Sequence, residues 1–187
     1  MTIITPKAIL SYPHLFEPRP ATLGGEPMYS CSLVFEPGTD LSQLEAEALR
    51  VAREKWGEKT DLLLRTGKLR LPFRTDGEEK GYPPGIVFIN VRSKQAPGIV
   101  DRYAGPDGKP VKITDPSVLY PGAYVRASVR AFAYDTNGNR GVSFALVNIQ
   151  KLGDGERLDG RKKAEDEFQA FEQAPASMND LIGDVPF

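Results

Sequence analysis

The sequence predicts a mainly β fold: a small barrel of strands and loops, one long helix packed on it, an extended loop and an acidic C-terminal tail. Three observations carry this. Eighteen glycines and 16 prolines fall largely between short β-rich runs, the punctuation of a strand-and-loop fold. The longest run, Ala123 to Tyr134, alternates small apolar side chains with aromatic and polar ones, the period of a half-buried strand. Helical spacing of apolar residues is clear in one segment, Asp40 to Gly57. With 187 residues, of which 40% are hydrophobic, the chain fits one domain with extensions better than two.

Taken in order, Thr2 to Tyr12 reads as a first strand and Tyr12 to Pro27 as a proline- and glycine-rich connection. Met28 to Glu36 is a strand with Tyr29, Cys31, Leu33 and Phe35 on one face and Ser30 and Ser32 on the other. Gly38 turns the chain into the helix, with Asp40 as N-cap and Gln43 three residues on. Leu41, Leu44, Ala48, Val51 and Ala52 form its apolar stripe, Glu45, Glu47, Arg50 and Glu54 its polar face, and Gly57 its end. Trp56 is read as a core plug rather than a ligand platform.

Lys59 to Pro84 is irregular and basic, with Arg65, Lys68, Arg70, Arg74 and Lys80 beside Phe73 and Tyr82. Gly85 to Lys94 is a strand. A long loop follows, turning at Gly105 to Gly108 and near Pro116. Tyr120-Pro121-Gly122 leads into the strand Ala123 to Tyr134, Asn137-Gly138 marks a hairpin turn, and Val142 to Leu152 returns. The regular pattern stops at Gly153, dividing the chain into a folded domain, 1–153, and a flexible tail, 154–187.

The two β-rich segments after Pro84 carry the functional signal. In Ala123 to Tyr134 one face reads Ala123, Val125, Ala127, Val129, Ala131, Ala133, a narrow core lining; the other reads Tyr124, Arg126, Ser128, Arg130, Phe132, Tyr134. In Ile86 to Lys94, Val87, Ile89 and Val91 face the core and Phe88, Asn90, Arg92 and Lys94 face outwards. Rings interleaved with arginines suit an unpaired nucleic-acid strand, since bases stack on rings while guanidinium groups meet phosphates. The competing reading is that Phe88 and Phe132 pack beneath a loop or the helix and the arginines are merely solvated. The basic segment Arg65 to Tyr82 is a second candidate surface.

Charge is divided along the chain. Of 25 acidic residues, six (Glu165, Asp166, Glu167, Glu172, Asp180, Asp184) fall after Lys163, where there is no Lys or Arg. The body up to Lys163 therefore holds 24 Lys and Arg against 19 acidic residues, a net charge of +5. A basic body suits a polyanion, and an acidic tail competes for the same surface or simply solubilises the chain.

Catalysis is poorly supported. His14 and Cys31 are the sole histidine and cysteine, which argues against a zinc site, a Cys–His or Ser–His centre and an internal disulfide. Cys31 reads as a buried, inert thiol. No phosphate loop with its lysine is present, and Asp76, Glu78 and Glu79 read as a solvated charge run rather than a metal site. The expectation is no enzyme activity, no cofactor and no metal. Without a secretory leader or a span of roughly 20 apolar residues, the chain is expected to be soluble and cytoplasmic, with no membrane partner.

The stretch Tyr120-Pro-Gly-Ala-Tyr-Val-Arg-Ala-Ser-Val-Arg-Ala-Phe-Ala-Tyr-Asp135, followed by Asn137-Gly-Asn-Arg-Gly-Val-Ser-Phe144, resembles bacteriophage single-stranded DNA-binding proteins of the T7-like class. Asn148-Ile-Gln-Lys151 and Gly153-Asp-Gly-Glu-Arg-Leu-Asp-Gly-Arg161 extend the resemblance, which is strongest over Gly85 to Phe171. It implies a five-stranded OB-fold barrel that binds single-stranded DNA with little sequence preference in replication or recombination. Duplex DNA would bind more weakly, and the setting would be the host cytoplasm. The DNA-binding candidates are Tyr124, Arg126, Arg130, Phe132, Tyr134, Phe88, Arg92 and Lys94. The tip Asp184-Val-Pro-Phe187 resembles that of bacterial single-stranded DNA-binding proteins, which implies docking of replication or recombination proteins through Asp180, Asp184, Pro186 and Phe187. In the phage class the tail also serves dimerisation. The rival classes are a strand-annealing protein, a non-catalytic OB-fold adaptor that binds proteins, and a metal-dependent nuclease.

Overall fold

Five strands wind into a closed ring that covers the apolar residues each of them carries. A computed structural model describes residues 1–20, 25–160 and 164–171. The ring is formed by β2 (Ala8–Arg19), β3 (Met28–Phe35), β5 (Val87–Ser93), β9 (Asn139–Gly153) and β8 (Tyr124–Thr136), which returns to β2. β3 pairs with β5 antiparallel from Tyr29↔Ser93 to Phe35↔Val87, while β5 and β9 run parallel at Val91↔Phe144 and Arg92↔Ala145. This is the five-stranded Greek-key arrangement of an OB fold. Short β1 (Ile3–Ile4) and β4 (Leu69–Arg70) extend it at β8 and β9.

The interior is the predicted alternation made solid. Val125, Ala127, Val129 and Ala131 of β8 meet Leu10, Leu33, Phe35, Ile89, Val91, Phe144 and Ile149. Small residues on β8 leave room for Phe144 and Phe35, both fully buried. Cys31 is buried, and its desolvation pushes the thiol up to about 12, the expected inert thiol. β8 and β9 pair from Tyr124↔Gly153 to Thr136↔Asn139, and Asn137 and Gly138, at φ 53° and 82°, make the two-residue turn.

Helix α1 (Ser42–Trp56) covers the ring with Leu44, Ala48 and Ala52, all buried. Leu41, not Asp40, is the N-cap, and it makes no side-chain cap bond; Asp40 lies one residue earlier, where the Ser42 hydroxyl and the Ser42 amide, at 3.0 Å, hold its carboxyl below the usual range. Trp56 packs at the core margin. The reading of its polar face changes as well. Glu47 is buried, not solvated, because Arg50 donates to both its oxygens at 2.7 and 2.9 Å. Gly57, at φ 58°, ends α1 as its C-cap, as expected; a single tight turn then leads into α2 (Thr60–Arg65), tied back by Thr60 Oγ1 donating to the Gly57 carbonyl.

Two predicted loops contain strand. β2 continues past Tyr12 to Arg19 because a bulge absorbs Pro13: Ser11 lies opposite Ser32 and His14 opposite Ser30, so β2 spends one residue more than β3. Tyr12 sits in that bulge at φ 46°. The long loop after β5 is an arm, β6 (Gly98–Ala104) and β7 (Pro110–Lys112), turned at Gly105–Gly108 as expected. β6 runs parallel to β9, and the Gly98 amide donates to Asn148 Oδ1.

The packed body also extends past Gly153. Tyr120 Oη accepts from the Gly155 amide at 3.1 Å, its ring lies 4.7 Å from the Arg157 guanidinium, and the Leu158 amide donates to the Pro121 carbonyl. Gly122, at φ 108°, lets this segment in: a Cβ there would strike the Glu156 carbonyl oxygen. Gly122→Ala is therefore expected to cost at least about 1–3 kcal/mol from backbone strain alone, read as a lowered denaturation midpoint against wild type.

Candidate nucleic-acid interface

The outer face of β3 and β5 is divided in two. Ser30, Ser32 and Val34 on β3 lie opposite Arg92, Asn90 and Phe88 on β5. At the Val34–Phe88 end, the segment 73–84 folds over the sheet. Arg74 pairs with Phe88 through both backbone bonds at 2.9 Å, and the Tyr82 ring meets the Phe88 ring edge-on at 5.7 Å. Val34, Ile86 and Phe88 form a second small core beneath Tyr82. At the other end none of the described residues covers the sheet, and a groove of about 1250 Å³ opens there.

Three sequence segments supply its walls. β3 and β5 give a polar floor of Ser30, Ser32, Asn90 and Arg92. Ser32 Oγ donates to Asn90 Oδ1 at 2.6 Å, which leaves the Asn90 amide group to donate. The end of the β8–β9 hairpin brings Phe132, Tyr134, Thr136 and Asn139; the bulged β2 brings Tyr12, His14 and Arg19; the segment after α2 brings Arg70, Arg74 and Lys80. Among the described residues, five Lys and Arg line the groove and no carboxylate does. Tyr12 is 57% exposed, with Lys80 Nζ 5.9 Å from its ring centre. Gly141 has no Cβ because Tyr134 Oη and the Arg70 carbonyl crowd that spot, so the Tyr134 ring is seated against the backbone.

The cations differ in freedom. Arg74 donates to both oxygens of Asp76, at 2.6 and 3.1 Å, and these bonds hold the Asp76 carboxyl below its usual range. Among the described residues, Arg70 and Arg92 have no ion-pair partner. Among those residues, too, no three His, Cys, Asp or Glu side chains gather as a metal site.

The groove unites Arg92, Phe132 and Tyr134 with the basic segment that the sequence offered as a separate surface. Phe88 is a correction: its side chain is fully buried, so no base can stack on it. Its ring instead supports the wall, with Arg74 and Lys80 at 5.3 and 5.7 Å. Tyr124, Arg126, Arg130 and Lys94 lie outside the groove. Arg126 donates to Gln150, Lys7 stands over the Tyr124 ring, and Lys94 pairs with Glu26 at 2.8 Å. Tyr12, His14 and Arg19 were missed, hidden by the prolines around them; the run His14-Leu15-Phe16 was the available signal. Asp180, Asp184, Pro186 and Phe187 lie outside the described residues.

Known proteins share this architecture. The single-stranded DNA-binding protein of bacteriophage Enc34, solved in complex with single-stranded DNA, superposes with a TM-score of 0.63 at 20% identity, covering 84% of this chain and 89% of that one. Gp2.5, the single-stranded DNA-binding protein encoded by bacteriophage T7, gives 0.56 at 14% identity over 87% and 97% of the two chains. These likenesses concern the fold. In sequence, protein p50 of Acyrthosiphon pisum secondary endosymbiont phage 1 is 32% identical over 162 residues, 81% of this chain and 83% of that protein. The family model described as Enterobacter phage Enc34, ssDNA-binding protein, matches residues 1–180, so the chain belongs to the family of the Enc34 phage single-stranded DNA-binding protein.

Proposed function

We propose that this protein coats and protects single-stranded DNA, with little sequence preference and without catalysis, during phage DNA replication or recombination in the host cytoplasm. The observation that carries this reading is the groove: among the described residues, five cations, no carboxylate, and the rings of Tyr12, Phe132 and Tyr134 on its walls. Stacking on rings tolerates any base, and the cations track the backbone. On the same side of β8 as Phe132 and Tyr134, the residues Arg130, Arg126 and Tyr124 continue the series away from the groove. A strand that leaves the groove in that direction meets them, with Lys94 at the groove's flank.

Titration with mixed-sequence oligonucleotides at several salt concentrations tests this. Affinity for single strands is expected to fall with a log–log slope of about −0.7 per phosphate neutralised, and duplex DNA of equal length to bind more weakly. Folded protein that binds no single strand at low salt would instead favour the protein-binding adaptor.

The acidic tail is part of the proposal. Its six carboxylates compete with DNA for the basic groove, the tether keeping their local concentration high. DNA displaces the tail and frees Phe187 for a replication or recombination protein. Removing residues 164–187 is expected to tighten DNA binding several-fold at low salt, most visibly for duplex DNA. The gain should shrink as salt rises, because exposed charges are screened over roughly 8 Å at physiological ionic strength. Equal or weaker binding by the folded truncation at low salt rejects the competitor role.

A further inference from the structure

Beyond Tyr134, at the tip of the β8–β9 hairpin, the groove has a neighbour. A second cavity of about 440 Å³ opens there, lined by Gly67, Lys68, Arg70, Gly138, Asn139 and Arg140. Arg70 and Asn139 line both spaces, so the two adjoin. The parallel pairing Leu69↔Arg140 and Arg70↔Gly141 sets the turn after α2 beside the hairpin turn, which fixes the notch between two backbone segments.

The lining changes character at this boundary. The groove mixes cations with the rings of Tyr12, Phe132 and Tyr134. The notch holds three cations, two glycines and an asparagine, with no ring and no carboxylate. Gly67 and Gly138, at φ 70° and 82°, carry no side chain to fill it. A base would find no stacking partner here, whereas a phosphodiester would find charge and open backbone. The cations are unequal. Arg140 Nε lies 3.2 Å from Asp135 Oδ2 and is partly neutralised. Among the described residues, Lys68 has no ion-pair partner, and unlike Arg70 it does not line the groove.

We propose that this notch is a subsite for the sugar–phosphate backbone, which takes a phosphate of the strand one step beyond the ring-lined groove, with Lys68 as its dedicated cation. The proposal rests on the single-stranded DNA reading of the groove and adds a place where the backbone is held without its bases. It also gives the site two unlike ends, a ring-free phosphate clamp at the hairpin tip and the β8 series at the other.

The test uses the full chain, its Lys68→Ala and Lys68→Arg variants, and oligonucleotides from about 4 to 16 nucleotides, the span of OB-fold site sizes. The shortest oligonucleotides that fill the groove should bind wild type and Lys68→Ala equally. Longer ones should lose several-fold in affinity in Lys68→Ala, with the salt slope flattened by about 0.7, and Lys68→Arg should restore both. Replacing the terminal nucleotides at one end by abasic sugar–phosphates should leave wild-type affinity unchanged. An equal loss at every length, no loss at any length, or a loss on abasic replacement whichever of the two ends carries it overturns the subsite. Failure of wild type to bind any oligonucleotide overturns the groove reading itself, and the two failures are distinct.

Discussion

Replacing Arg70 and Arg92 together by alanine is expected to weaken single-stranded DNA binding by roughly 50- to 100-fold at about 50 mM salt. The argument is electrostatic. Each phosphate contact contributes about 0.7 to the log–log salt slope, hence nearly one decade of affinity between 1 M and 50 mM salt. Both residues line the groove, Arg92 on its floor and Arg70 on a wall, and both lack an ion-pair partner among the described residues. Both side chains are exposed, so the melting temperature should stay near wild type. The slope should flatten by about 1.4, the sum of two contacts. Arg74→Ala is the internal control. Its charge is already shared with Asp76 at 2.6 Å, so its removal should change the slope by less than either single arginine variant. Unchanged affinity in the folded double variant would show that DNA does not run through this groove.

The split between Arg92 and Arg126 shows what could be read in advance. The strand Ala123 to Tyr134 was legible because its alternation is uninterrupted, and β8 buries the alanine and valine face as the pattern requires. The Asn137-Gly138 turn was legible because its backbone demands positive φ at both residues. Period alone says which side of a strand faces out; it does not say what lies above that side. Arg126 and Arg92 have the same outward parity, yet only the latter lines the groove, because ring closure brings β2, the segment after α2 and the hairpin end around one part of the sheet. That closure also joined Arg70, Arg74 and Lys80 to Phe132 and Tyr134, which no local pattern could do. β2 was lost beyond Tyr12 for a different reason. Prolines 13 and 18 remove backbone donors and mimic a connection, and a bulge that absorbs the irregularity has no signature in the residue types around it.

Phe88 and Phe132 provide the sharpest contrast, since both were expected to be DNA-facing rings. Phe88→Ala is expected to destabilise the fold by about 3–5 kcal/mol, the usual cost of emptying a buried phenylalanine site. Its ring is fully buried, packs edge-on against Tyr82 and fills a small core with Val34 and Ile86. That core is too small to collapse around the loss without moving the segment 73–84, which carries Arg74 and Lys80. DNA binding should therefore weaken as a consequence of the loosened wall. Phe88→Leu, which keeps most of the volume, should recover most of both stability and affinity. Phe132→Ala should behave in the opposite way. Its ring is half-buried on the groove wall and belongs to neither core cluster, so stability should change little. Binding should lose about 1–3 kcal/mol, the worth of one base stacked on a ring. Chemical denaturation and oligonucleotide titration on the same four proteins, wild type included, separate the two roles. If Phe88→Ala kept wild-type stability and lost only affinity, the ring would be meeting DNA directly and the buried arrangement over β5 would be wrong. If Phe132→Ala bound as wild type does, base stacking in the groove would have to rest on Tyr12 and Tyr134 alone.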